Sequence, residues 1–89
     1  MGELRFDPDA FSEIPQSESE RILNKITWLW DYRGIVIHHP LRHDLSGLCK
    51  RTLGKYRIIY GYDEELDNMT IHLVGTRDNI YKDAVKKLR

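Results

Sequence analysis

A single cysteine, Cys49, is too little for a disulfide within the chain or for a cysteine-built zinc site. No apolar run is long enough to span a bilayer, and no stretch reads as a secretory leader. The expectation is a cytoplasmic protein with no membrane partner. Glycine-rich phosphate loops, nucleophile elbows and paired-carboxylate signatures are also missing. Net charge is zero, with fourteen basic and fourteen acidic side chains, but the balance hides an asymmetry. Residues 1–34 hold seven acidic and four basic side chains, and residues 35–89 hold seven and ten. An anionic ligand would go to the second half. Histidine is present without metal-site spacing. His38, His39 and His43 have no helical pairing, and His72 falls in a strand. No metal and no cofactor are expected.

At 89 residues the chain is read as one domain, 1–89, with a modest core. Glu3–Phe6 is a short extended segment. Asp7-Pro8 resembles a helix start, and Ala10, Phe11 and Ile14 mark the face of a short helix that Pro15 ends. Ser17 with Glu20 forms a capping box ahead of Ile22, Leu23, Ile26, Leu29 and Trp30, which fall at helical spacing and stop near Gly34. Two such helices form a hairpin with an apolar stripe. Ile35–Ile37 is a strand or an extended loop, and a loop carries on to Ser46-Gly47.

Next come two strands folded back at Gly54, where a tight turn needs positive φ. An acidic turn over 63–68, a third strand over 69–74 and a last helix capped by Asp78 complete the order. Ile80, Tyr81, Ala84, Val85 and Leu88 form that helix's apolar stripe, leaving Lys82, Lys86, Lys87 and Arg89 in water. The fold class is α+β: a small, mainly antiparallel sheet, an N-terminal helical hairpin on one face and a short C-terminal helix.

Cations set into the hairpin carry the chemistry. A core strand seldom holds arginine unless the guanidinium has a partner or a task. Arg57 lies mid-strand, and Arg77 lies just past the end of the strand it pairs with. On one surface they would clamp a phosphate; alternatively each satisfies a carboxylate such as Asp63 or Asp78. Lys50, Arg51 and Lys55 add positive potential, or are a solvated hairpin edge, since neighbours on a strand point to opposite faces. Tyr81 is either core packing or, four residues after Arg77, a group beside the clamp.

Leu45-Ser46-Gly47-Leu48, Lys50, Gly54-Lys55-Tyr56-Arg57-Ile58-Ile59-Tyr60 and Val74-Gly75-Thr76-Arg77-Asp78-Asn79-Ile80-Tyr81 resemble the RelE/ParE superfamily of toxin–antitoxin toxins. The likeness to RelE covers nearly the whole chain. It implies a sheet with the helical hairpin on one face and a concave basic surface on the other. It also implies a metal-independent endoribonuclease that cuts mRNA in the ribosomal A site by 2′-OH attack. By position, Arg57 stabilises the phosphorane, Arg77 holds the phosphate, Lys50 assists with charge or proton transfer, and Tyr81 orients or activates the 2′-OH or stacks on a base. The resemblance also implies that Arg42, Arg51 and Lys55 bind RNA. The implied partners are a RelB-like antitoxin, the ribosome and mRNA, with operator DNA reached only through the antitoxin complex. Three features depart from the family pattern: Thr52 where a second basic residue is common, Cys49 where an aromatic is common, and the zero net charge. A ParE-like gyrase inhibitor, or a degenerate toxin acting only as an antitoxin-binding co-repressor, are the alternative readings.

Overall fold

The computed structural model describes residues 2–88. Its elements are β1 (Glu3–Phe6), α1 (Gln16–Asp31), β2 (His39–Pro40), a 3₁₀ turn (His43–Leu45), β3 (Cys49–Leu53), β4 (Tyr56–Asp63), β5 (Asn68–Thr76) and α2 (Ile80–Leu88). The five strands form one sheet in the order β1-β5-β4-β3-β2. β1 runs parallel to β5 and the other pairs are antiparallel. This is the expected α+β class with a mainly antiparallel sheet.

The central strand β4 explains its own sequence. It is paired on both edges and covered on both faces, so Tyr-Arg-Ile-Ile-Tyr is nearly continuous in bulky residues. Tyr56, Ile58 and Tyr60 point to one face, against Ile22, Ile26 and Leu29 of α1. All three α1 side chains are fully buried, and each contributes about 1.5–3 kcal/mol from water exclusion. On the other face Ile59 and Leu73 meet Leu45 of the 3₁₀ turn and Ile80 and Ala84 of α2. Period-two alternation thus builds two small cores from one strand.

Gly54 turns β3 into β4 with φ +56°, Leu53 facing Tyr56 across the two-residue loop. Lys55 is not left-handed, so the turn needs glycine only at its first position, as a type II′ hairpin does. Gly75 has a packing reason. A Cβ there would stand 3.0 Å from Ile80 Cδ1, so the missing side chain lets α2 sit down on β5. Between β4 and β5 the register slips: Ile59 pairs with Leu73 but Tyr60 with Ile71. His72 is the extra residue, and this bulge aims its ring at the α2 face. There Nδ1–H donates to Asp7 Oδ2 at 2.9 Å.

Several expectations from sequence change. In place of the first helix of the expected hairpin, residues 8–14 form successive three-residue turns, closed by Ala10 N–H on Asp7 O, Ser12 N–H on Asp9 O and Ile14 N–H on Phe11 O. The Ala10 carbonyl, which an α-helix would give to residue 14, accepts instead from Val74 N–H at 2.9 Å, and Asp7 N–H donates to Ile71 O. The segment uses its backbone to extend the β5 edge. The Ser17–Glu20 capping box does not form: α1 starts at Gln16 with Pro15 as its N-cap and no side-chain cap, so Ser17 lies inside the helix. Residues 35–37 are not a strand, and β2 is only His39–Pro40. Lys87 is not left in water. Its ammonium lies 2.6 Å from Asp9 Oδ1 and 3.2 Å from Asp7 Oδ2, and it also donates to the His72 carbonyl. The expectation for Arg89 lies outside the described residues.

Candidate functional site

Strand register decides which cations share a face. Lys50 pairs with Ile59, and Thr52 with Arg57, so Lys50, Thr52 and Arg57 stand on the α2 face. Arg51 pairs with Ile58 and stands on the α1 face. One residue of offset therefore separates Arg51 from the rest of the set.

Arg57 sits between Thr52 on β3 and Gly75 on β5. Its Nη1 donates to the carbonyls of Gly54 and Tyr56, 2.9 Å each, which anchors the guanidinium at the hairpin turn. It does not pair with Asp63, whose carboxylate instead accepts Leu66 N–H at 3.1 Å and closes the acidic turn. The Arg77 backbone N–H donates to Lys55 O at 2.9 Å, so the β3–β4 turn is bound to the end of β5. Between them lies an open recess of about 420 Å³ lined by Gly54, Lys55, Thr76, Arg77 and Asp78. The Arg77 side chain is 73% exposed, with Asp78 Oδ1 at a loose 3.9 Å. Lys55 lies over the Tyr56 ring at 5.4 Å, on the same turn. This end of the sheet offers three cations to one acid, in water-accessible positions, and fits an anion.

Lys50 and Tyr81 meet on the same face, with the ammonium 5.9 Å from the ring centre. Tyr81 is half-buried and packs on the Leu45–Ile59–Leu73 core. Its ring is core packing, and the Lys50 ammonium lies over that ring. The surface opposite α1 is correspondingly not open throughout, because α2 and the 3₁₀ turn cover its middle.

The remaining candidates lie elsewhere. Arg42 is exposed at the start of the 3₁₀ turn. Arg51 lies over the Trp28 ring at 5.7 Å and donates through Nη2 to Ile37 O at 2.9 Å, so it braces α1 and the following loop. No group of three or more His, Cys, Asp or Glu among the described residues is placed to hold a metal. His38 is a structural link: Nε2–H donates to Arg33 O at 2.8 Å, leaving Nδ1 to accept from Tyr60 Oη at 2.7 Å. Burial pushes the Tyr60 phenol up to about 12. Burial also raises the Cys49 thiol, which disfavours its nucleophilic thiolate.

Two features escaped the sequence. Thr52 directly faces Arg57, a relation that the hairpin register announces once Gly54 is placed. Arg33 and Asp67 form a two-point ion pair (Nε to Oδ1 2.6 Å, Nη2 to Oδ2 2.8 Å), with Arg33 stacked 3.6 Å from the Trp30 ring centre. No local signal joins residues so far apart in the chain.

No protein-family model matches this chain, and neither does any curated protein. Solved structures do. A doubly substituted RelE toxin from E. coli in its free state superposes with a TM-score of 0.68 at 24% identity, over 97% of this chain and 96% of that one. The fold is that of RelE toxins. A RelBE toxin–antitoxin complex from Mycobacterium tuberculosis matches at TM-score 0.60 and 25% identity, over 83% and 95% of the two chains. YafQ from E. coli, in a singly substituted form, matches at 0.67 and only 12% identity, over 91% and 99%. The RelE-like architecture thus accommodates wide divergence in sequence. No described helix is long and apolar enough to cross a membrane.

Proposed function

We propose that residues 1–89 act as one RelE-like domain, the toxin of a type II toxin–antitoxin system, and cleave mRNA on the ribosome in the cytoplasm. The observation that carries this reading is a cluster of cations at one end of the sheet. Arg57 is anchored at the hairpin turn, Arg77 and Lys55 rim the recess at that turn, and Lys50 with Tyr81 stands further along the α2 face that Arg57 shares. In the proposed reaction the 2′-OH attacks the adjacent phosphorus. The P–O2′ bond forms and the P–O5′ bond breaks, leaving a 2′,3′-cyclic phosphate and a 5′-OH. Charge gathers on the non-bridging oxygens in the phosphorane. A guanidinium held by two carbonyls meets that charge without reorganising, which is the strongest form of electrostatic help. Arg77 and Lys55 hold the phosphate from the rim. Tyr81 orients the 2′-OH, and Lys50 supports the passage of its proton. The need for a 2′-OH restricts cutting to RNA.

A RelB-like antitoxin is the proposed regulator, since RelE structures of this fold are found with RelB. Operator DNA is reached only through that complex. Induction of the chain in cells with primer extension on a translated mRNA tests the reading. Cuts at fixed codon positions that vanish when the start codon is removed are the expected result. Growth arrest with intact mRNA, or no arrest at all, would overturn it.

A further inference from the structure

A fourth cation stands at the Gly54 turn. Arg21 comes to it from α1, on the sheet face opposite Arg57. A Cβ placed on Gly54 would stand 3.7 Å from Arg21 Nη1. The guanidinium carbon of Arg21 lies 5.9 Å from the centre of the Tyr56 ring, and the Lys55 ammonium lies 5.4 Å from the same centre. Tyr56 is buried, so its ring is a fixed support that holds both cations at the turn. Glu18, three residues back along α1, accepts the Arg21 Nε–H at 3.2 Å. This steadies the side chain and leaves Nη1 beside Gly54. Arg57 donates to the Gly54 carbonyl from the other face, so a guanidinium flanks the turn on each side.

Like charges gathered at one turn repel each other. Here Arg21, Lys55, Arg57 and Arg77 share two paired acids, Glu18 and Asp78. Gly54 lines the recess and also stands next to Arg21, so no side chain of the turn separates the two. One phosphate in the recess meets Arg77 and Lys55 and leaves Arg21 over. A polyanion with regularly spaced charges answers all of them. We propose that Arg21 binds the phosphodiester next to the one held in the recess, so that a single RNA strand crosses the bare Gly54 turn toward the α1 face. Which of the two phosphates is cut rests on the nuclease reading; the Arg21 contact does not. It supplies binding and register, not chemistry, because it touches a phosphate that does not react.

Affinity for a single-stranded RNA, read across a range of salt, tests the contact without cleavage. Arg21→Gln should weaken binding and lower the log–log salt slope by about 0.7, the value for one lost phosphate contact. Arg21→Lys should keep that slope, because lysine still offers a point charge to phosphate. The Arg21 side chain is half-exposed, so both variants keep the folded state. On a ribosome-bound mRNA, Arg21→Gln should raise KM and leave kcat unchanged. An uncharged methylphosphonate at the phosphate beside the cut should weaken binding of the wild type and have no further effect in Arg21→Gln. RNA binding with this Arg21 dependence but without cleavage would count against the nuclease reading and uphold the contact. An unchanged salt slope in Arg21→Gln would overturn the proposal. So would a raised KM with no methylphosphonate coupling at either neighbouring phosphate, since Arg21 would then be meeting ribosomal RNA.

Discussion

The Lys50 ammonium stands 5.9 Å from the centre of the Tyr81 ring and so links strand β3 to helix α2 across the candidate site. A Tyr81→Phe variant keeps the ring and its packing and removes only the hydroxyl. Under the proposed reaction, cleavage of mRNA on ribosomes should fall about 10²–10⁴-fold, the usual worth of a proton-handling group. The thermal midpoint should not move. Wild-type activity in Tyr81→Phe would take the hydroxyl out of the mechanism.

Arg57 and Arg77 should separate in kinetics. Arg57 is fixed by two carbonyls, so Arg57→Ala should lower kcat about 10²–10³-fold, as loss of an oxyanion donor does. Arg77 is mostly solvated, so Arg77→Ala should raise KM more than it lowers kcat. Single-turnover and steady-state cleavage by both variants distinguish these outcomes.

Thr52 faces Arg57 across the β3–β4 ladder and is exposed. Thr52→Arg places a third cation on that face. Affinity for single-stranded RNA should rise, and its log–log salt dependence should steepen by about 0.7, the value for one added phosphate contact. An unchanged salt slope would mean that RNA does not pass this position.

Lys87 holds the last turn of α2 to Asp7 and Asp9. Replacing it with Met keeps the stem and leaves the half-buried Asp7 carboxylate with His72 alone. The cost should be about 1–3 kcal/mol, from a polar group losing its partner. Hydrogen exchange should show α2 amides losing protection before those of β4.

The Arg33–Asp67 pair gives an acid dependence of known sign. Hydrogen bonds from Arg33, helped by its charge, hold the Asp67 carboxyl below the usual carboxylate range. Its folded pKa is therefore lower than its unfolded one. The stabilisation is fully present above the unfolded pKa, near 4, and is lost as pH falls through the folded value. Asp67→Asn should be less stable at neutral pH, and its stability should fall less between about pH 5 and pH 2 than that of the wild type. Urea titrations across this range measure the difference.

Much of this architecture was readable from local pattern. Gly54 announced the hairpin, and the spacing of Ile22, Ile26 and Leu29 announced α1, because turn chemistry and helical period are local. What was not readable depended on partners distant in the chain. Ala10 gave its carbonyl to Val74, which undid the first helix of the expected hairpin. The bulge at Ile59/Tyr60 turned His72 toward Asp7, and Lys87 found the same carboxylate. Arg51 shows the limit of grouping by sequence proximity: adjacent to Lys50, it belongs to the other face.

The most direct test of the central claim is cleavage of a preassembled ribosome–mRNA complex by the purified chain, with the new RNA ends identified chemically. The account requires a cut in the A-site codon that leaves a 2′,3′-cyclic phosphate and a 5′-OH, present with the wild type and lost with Arg57→Ala. Intact mRNA with the wild-type chain, or cutting that persists undiminished in Arg57→Ala, would contradict it.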